Sequence, residues 1–326
     1  MTQTVLETQD QDTQAAAGSA AGAVTVRPLS AHIGALIGGV DLRAPLHPAE
    51  IGAIRAALLK WKVVFFRDQH LSHAQHIAFA RQFGELTVGH PVFGHVDGHP
   101  ELYSVSKHRK ANRFEGRALL RPWSGWHTDV TAAVNPPAAS ILRGVVIPPY
   151  GGDTQWTNLA AAYQALSAPL RAIVDGLRGV HRFTAPVGAS ATAAFDQAVK
   201  AHTLVSEHPL VRVHPETGER VLYISPSFLQ HLSGFHPRES QQLLELLWEH
   251  AVRPEFTVRF QWEPGSLAFW DNRATAHLAP ADIFDLDFDR QLYRTTLVGD
   301  VPVGVDGRPS VALEGDPVLA AHGAAA

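Results

Sequence analysis

The stretch Trp126-His127-Thr128-Asp129 holds an imidazole and a carboxylate two residues apart. In a segment that reads as β-strand, such side chains share one face. One imidazole nitrogen and one carboxylate oxygen so placed are two of the three protein ligands of a non-haem iron(II) site, whose other positions stay open for reactants. The third ligand should be a histidine from far along the chain. His-x-Asp arises often by chance, so the pair is a hypothesis that the remaining sequence has to support.

Bulk properties narrow the field. The chain has 326 residues, 45% of them hydrophobic, and a net charge of −4. That length supplies ample core, and near-neutral charge argues against a nucleic-acid or membrane-surface binder. The absence of cysteine excludes disulfides, zinc–thiolate sites and iron–sulfur clusters. No basic-then-apolar leader and no apolar run of ~20 residues is present, so a cytoplasmic protein is expected. Of 19 histidines, most must be bystanders.

The elements that must position the pair follow from pattern. Residues 1–23 have almost no large apolar side chains and read as a disordered tail. Two small strands are expected between Val24 and Leu42, broken by glycines. Helices are expected over Pro48–Trp61 and Ala74–Phe83, with a central strand at Val63–Phe66. His90 to Trp123 is loop-rich, and Lys107, Arg109, Lys110, Arg113, Arg117 and Arg121 oppose only Glu115. This basic stretch reads either as a solvated loop or as a lid over an anionic substrate.

Short strands follow to Trp156, then helices near Leu159–Leu166 and Pro169–Leu177 and an alanine-rich insert at Val187–Val199. A strand at Pro209–His214 should form a hairpin with Val221–Ile224 across Pro215-Glu216-Thr217-Gly218. The helix Arg238–His250 should turn Leu243, Leu244, Leu246 and Leu247 inward. Strands return at Phe256–Trp262, Ser266–Trp270 and Leu292–Val298. The whole suggests an α+β domain on an antiparallel double-sheet jelly roll, with flanking helices and a helical insert.

The segment Phe269-Trp270-Asp271-Asn272-Arg273-Ala274-Thr275-Ala276-His277 supplies the missing histidine, 150 residues beyond His127. With His127-x-Asp129, Gly151-Gly152-Asp153-Thr154, Arg290 and Arg294, it resembles the iron(II)- and 2-oxoglutarate-dependent dioxygenases of the taurine/2,4-dichlorophenoxyacetate dioxygenase (TauD/TfdA) family. The likeness spans 24–303, leaving 304–326 as a C-terminal tail, and implies a double-stranded β-helix (cupin-like) core.

The resemblance implies His127, Asp129 and His277 as metal ligands and Thr154 with Arg290 as the 2-oxoglutarate anchor. Fe(II), 2-oxoglutarate and O₂ are the implied cofactors. It places Arg294 and His90 on an anionic substrate, although His90 also reads as an exposed loop histidine and Arg294 as a surface strand charge. Trp123 stands where taurine oxidisers carry an asparagine. An indole offers an amine little beyond a cation–π contact. Together with the long basic stretch, this favours a small anion with an apolar body: an alkyl sulfate, an alkyl sulfonate or an aryloxyalkanoate. A natural-product intermediate is the alternative.

Asp271, Asn272 and Arg273 are expected to orient His277. His73, His76, His181, His208, His214 and His250 fall outside the pattern and are read as ordinary. Family likeness also makes a dimer or tetramer unsurprising. Rival readings are a jelly-roll binding protein with a retired site and a cupin-like isomerase or hydrolase using another metal. An intact triad with an arginine disfavours the first.

Overall fold

The computed structural model describes residues 24–108, 114–116, 120–185, 189–279 and 281–321. The expected tail 1–23 lies outside the described residues, as do Arg109, Lys110, Arg113 and Arg117, which carry the lid reading.

Along the chain, β1 (Thr25–Pro28) and β2 (Ala35–Gly38) form a hairpin. Helix α1 (Pro48–Trp61) starts at a box in which His47 accepts from the first turn and Glu50 reaches back; it stops at Lys62, whose φ is +66°. Then come β3 (Val63–Phe66) and α2 (His73–Arg81), the latter opened by reciprocal Ser72–Gln75 capping. Strands β4 (Tyr103–Ser106), β5 (Phe114–Gly116), β6 (Ala139–Val146) and β7 (Thr154–Asn158) follow.

The insert comprises α3 (Leu159–Ala165), α4 (Ala168–Val174), β8 (Arg178–Arg182), β9 (Ala189–Ala191) and α5 (Ala193–Ala201). It continues through β10 (Val205–Pro209), β11 (Val211–Val213), β12 (Arg220–Leu222), β13 (Leu229–Leu232) and α6 (Pro237–Ala251). Last are β14 (Thr257–Phe260), β15 (Leu267–Asp271), β16 (Thr275–Leu278), β17 (Gln291–Leu297) and β18 (Val311–Glu314).

The main sheet has seven strands in the order β1-β2-β3-β15-β6-β17-β4, and a three-stranded sheet runs β14-β7-β16. Between them sit Phe65, Leu142, Ala268, Trp270 and Leu292 from the first and Trp156, Val258 and Phe260 from the second. On the other face of the main sheet, Val64, Phe66, Ile141 and Phe269 pack under Ile54 and Leu58 of α1 and Phe79 of α2. A strand covered on both faces must be apolar at every position. This is why β3 reads Val-Val-Phe-Phe, fully buried throughout, each side chain worth roughly 1.5–3 kcal/mol of burial.

Three expectations need correction. The strand over 209–214 is two strands, because Pro209 ends the pairing of β10 with β8 and β11 turns to β12 instead. In α6, Leu244 and Leu247 are buried, while Leu246 is half exposed because it sits 100° or more off their shared stripe. The chain beyond Val303 is not a loose tail at first: β18 adds to β10, and Val318 is buried with its backbone bonded to the Asn135 side chain. Among the described residues, no helix is long and apolar enough to cross a membrane.

Candidate metal centre

His127, Asp129 and His277 meet, with ligating atoms all within 4.8 Å of one another. They do so without the strand expected at 126–129. His127 forms an isolated bridge with His277, each amide donating to the other's carbonyl (2.9 and 2.7 Å). Asp129 instead opens a turn, where Val130 takes a φ of +52°. The turn, rather than a two-residue strand period, brings carboxylate and imidazole together. The imidazole rings lie 4.1 Å apart by centroid, and Asp129 Oδ1 is 3.9 Å from His277 Nε2.

Protonation suits metal binding. His127 Nδ1–H donates to the Gly125 carbonyl (3.0 Å), which puts its lone pair on Nε2. Burial, with the neighbouring His127 and Arg294, holds His277 well below the ordinary imidazole range, so it is neutral. Burial alone would raise the Asp129 carboxyl, but Arg294, the two histidines and Ser140 together hold it well below the usual carboxylate range. Arg294 Nη1 contacts Oδ1, and the Ser140 hydroxyl donates to Oδ2 at 2.6 Å.

Behind that carboxylate runs a series of hydrogen bonds that the sequence reading missed. Trp270 Nε1 donates to Asn272 Oδ1 (2.8 Å), Asn272 Nδ2 donates to Ser140 Oγ (2.8 Å), and Ser140 donates onward to Asp129. Asn272 thus orients Asp129 and not His277, which packs instead on the Trp270 ring. Asp271 is committed elsewhere: Arg273 and His214 Nε2 (3.0 Å) bind it and lock the β15–β16 turn. His214 is therefore not ordinary. The only cue to Ser140 was a lone hydroxyl in an apolar strand. Ser140→Ala should weaken iron binding or turnover by about 10–100-fold with the fold intact. Metal titration checks this, and unchanged affinity would remove the role.

The turn is braced from the far side. Two residues past Asp129, the Thr131 carbonyl accepts from His208 Nε2 (2.8 Å), and Thr131 Oγ1 meets His181 Nδ1 (3.0 Å). Burial pushes His208 down from 6.5 to about 3 and His181 well below its ordinary value. Between those values the unfolded chain takes up protons that the folded one refuses, so stability falls as pH drops from 6.5 toward 3. At ~1.4 kcal/mol per unit the loss reaches several kcal/mol. His208→Gln should flatten that slope in pH-dependent unfolding; an unaltered slope would contradict the assignment.

The other expected site residues divide. Arg290 is buried, and its Nε donates to the Gly152 carbonyl (2.9 Å). Burial pushes it down to about 10, so it stays cationic at neutral pH. A Cβ on Gly152 would lie 2.8 Å from Arg290 Cδ, so this glycine is what lets the guanidinium approach β7. Thr154, two residues on and also buried, accepts from Trp262 Nε1 (2.9 Å). Arg294 is no surface charge, since it is buried on Asp129 with its guanidinium over the Tyr103 ring (5.3 Å). His90 is no exposed loop residue either: its Nδ1 accepts from the Val92 and Phe93 amides (both 3.1 Å), and its ring lies 4.9 Å from Tyr103.

Trp123 does not join them. A turn ending at Gly125 (φ +81°) carries its indole onto Trp248 of α6, where it lines an open cleft of ≈ 570 Å³ with Glu245, Leu246 and Glu249.

The family model for the taurine catabolism dioxygenase TauD, TfdA family matches residues 25–296. The chain belongs to this family. It is 43% identical over 296 residues to an alpha-ketoglutarate-dependent sulfate ester dioxygenase of Pseudomonas putida, covering 87% of this chain and 93% of that one. An alkylsulfatase of Acinetobacter baylyi is 37% identical over 290 residues, covering 86% and 87%. The crystal structure of a taurine dioxygenase from Burkholderia xenovorans aligns with a TM-score of 0.79 at 71% identity, covering 90% of this chain and 97% of that one.

This TauD/TfdA member is a 2-oxoglutarate-dependent non-haem iron dioxygenase that uses Fe(II), 2-oxoglutarate and O₂. Its residues fit that cofactor set. Two imidazoles, one of them held neutral by burial, and an ionised carboxylate are the donors ferrous iron asks for, and Arg290 is a buried cation that makes no direct ion pair among the described residues, with Asp153 and Asp282 acting on it only from a distance.

Proposed function

We propose that this enzyme hydroxylates a C–H bond of a small anion with an apolar body, an alkyl sulfate or sulfonate being favoured. The observation that carries the reading is the setting of Arg294. The guanidinium lies against the carboxylate ligand and over Tyr103, which in turn packs on His90. Its Nε is buried without a hydrogen-bond partner among the described residues. A sulfate or sulfonate oxygen can accept from it. Beside this polar end stand Phe93, Phe183, Phe228, Val92 and Val130, an apolar wall for the body of the substrate. The names of the sulfate ester dioxygenase and alkylsulfatase relatives point the same way.

His127, Asp129 and His277 would hold the iron, and Arg290 with Thr154 would hold the distal carboxylate of 2-oxoglutarate. When bound, iron supplies the redox chemistry that couples O₂ to oxidative decarboxylation of the 2-oxoacid and oxidation of a substrate carbon. The chain's own work is positioning: Ser140 holds Oδ2 of Asp129, Oδ1 beside Arg294 would be the oxygen offered to the iron, and Arg294 with His90 would aim the carbon next to the anionic group. For an alkyl sulfate, the hydroxylated carbon then expels sulfate and becomes an aldehyde, with succinate and CO₂ as co-products.

We read the two facing sheets as the walls of a double-stranded β-helix, and place the enzyme in the cytoplasm as a dimer or tetramer. A panel of alkyl sulfates, alkyl sulfonates, aryloxyacids and taurine, assayed with Fe(II) for stimulated succinate release, tests the substrate reading. Response to taurine alone would sink it.

A further inference from the structure

Four arginines are buried among the described residues: Arg143, Arg212, Arg290 and Arg294. Arg212 lies on Asp300 (2.8 Å) and Arg294 on Asp129. No described carboxylate makes an ion pair with Arg290 or Arg143. A buried guanidinium cannot discharge by losing its proton, and leaving it without a counter-charge is costly. For Arg290, Asp153 and Asp282 act from a distance and the cosubstrate carboxylate would complete the balance. Arg143 has no such explanation.

Alternation along β6 sends Ser140 and Leu142 toward the metal-bearing interior and Ile141 and Arg143 to the opposite face, under α2. There Arg143 pairs across the strands with Tyr293, whose ring lies 5.7 Å from the guanidinium carbon. Its Nη2 meets His73 Nδ1 at 2.9 Å, and its Nε is buried without a partner among the described residues. Donating to Nδ1 leaves the His73 proton on Nε2. The His73 ring packs against His99 (4.9 Å) and Tyr293 (4.4 Å), and all three are only half-buried. Behind them His76 is fully buried, its Nδ1 also unpartnered. His73 opens α2, so the positive end of that helix adds to the field. Burial together with Arg143 lowers both His73 and His76, as an uncompensated positive charge would.

We propose that Arg143, with His73, His99 and Tyr293, binds a small tetrahedral oxyanion on the face of the main sheet opposite the metal centre. Sulfate released from a sulfate ester and phosphate from the surroundings share this chemistry. The inference goes beyond the substrate reading and does not depend on it.

The test uses metal-free protein, histidine-ring NMR and separate titrations with sulfate, phosphate and chloride at matched ionic strength. Saturable shifts of the His73 and His99 rings with sulfate or phosphate, and none with chloride, are expected. Saturation by sulfate alone assigns the product; saturation by both assigns a general oxyanion site. Arg143→Met should weaken binding about tenfold or more, while Arg290→Met leaves it unchanged. Should Arg143→Met fail to fold, Tyr293→Phe combined with His99→Ala keeps the guanidinium and should weaken binding several-fold. A selenate soak should place its heavy atom beside Arg143. No saturable shift in the native protein, or undiminished binding in the variants, overturns the proposal.

Discussion

Asp129→Ala will abolish substrate-dependent succinate formation, by about a thousandfold or more, since metal-borne stabilisation of several kcal/mol disappears with the ligand. The same change should also destabilise the metal-free protein. Asp129 is 2% exposed and carries the negative charge that Arg294 faces, so truncation leaves a buried guanidinium unmatched. Removing one partner of a buried pair costs about 3–5 kcal/mol. Asp129→Asn keeps an acceptor for Ser140 and should lose activity with a smaller loss of stability. The two effects separate the roles of this carboxylate: iron-dependent turnover reports the ligand, and the denaturation midpoint of metal-free protein reports the counter-ion. Wild-type succinate release in either variant would remove the metal assignment.

Arg290→Met should raise KM for 2-oxoglutarate by roughly 30-fold to several thousand-fold, the cost of truncating a buried charge that holds an anion. Turnover at saturating cosubstrate should change far less. Arg290→Lys should fall between, because an ammonium offers no two-pronged contact and cannot reproduce the Nε bond to Gly152. The counter-test is stability. Arg290 makes no direct ion pair among the described residues and feels Asp153 and Asp282 only from a distance, so its removal should change the unfolding midpoint of ligand-free protein little. A large drop in that midpoint with unchanged KM would make Arg290 a structural residue.

The candidate metal ligands were legible because such chemistry leaves few substitutes, and the spacing of His127, Asp129 and His277, which the fold brings together, is distinctive along the chain. The doubly covered β3 was legible because burial on both faces forces an uninterrupted apolar run. What failed depended on rotation about a few bonds. A turn at Asp129 imitates the same-face outcome of a strand, and Gly125 swings Trp123 onto α6, which residue type alone does not reveal. Ser140 was invisible for another reason: a single hydroxyl acquires meaning only when β15 sets Asn272 beside it. His208 and His181 looked idle because their partner, Thr131, lies 50 or more residues away.

The backbone bridge between His127 and His277 has one more consequence. Two imidazoles separated by 150 residues of chain are stapled amide-to-carbonyl, so they would meet an incoming ion as one chelating clamp rather than as two independent arms. The entropy of assembling them was spent when the protein folded. Iron capture and local unzipping of that bridge are then two readings of a single equilibrium, and exchange of those two amides with deuterium should slow sharply when the ion is seated.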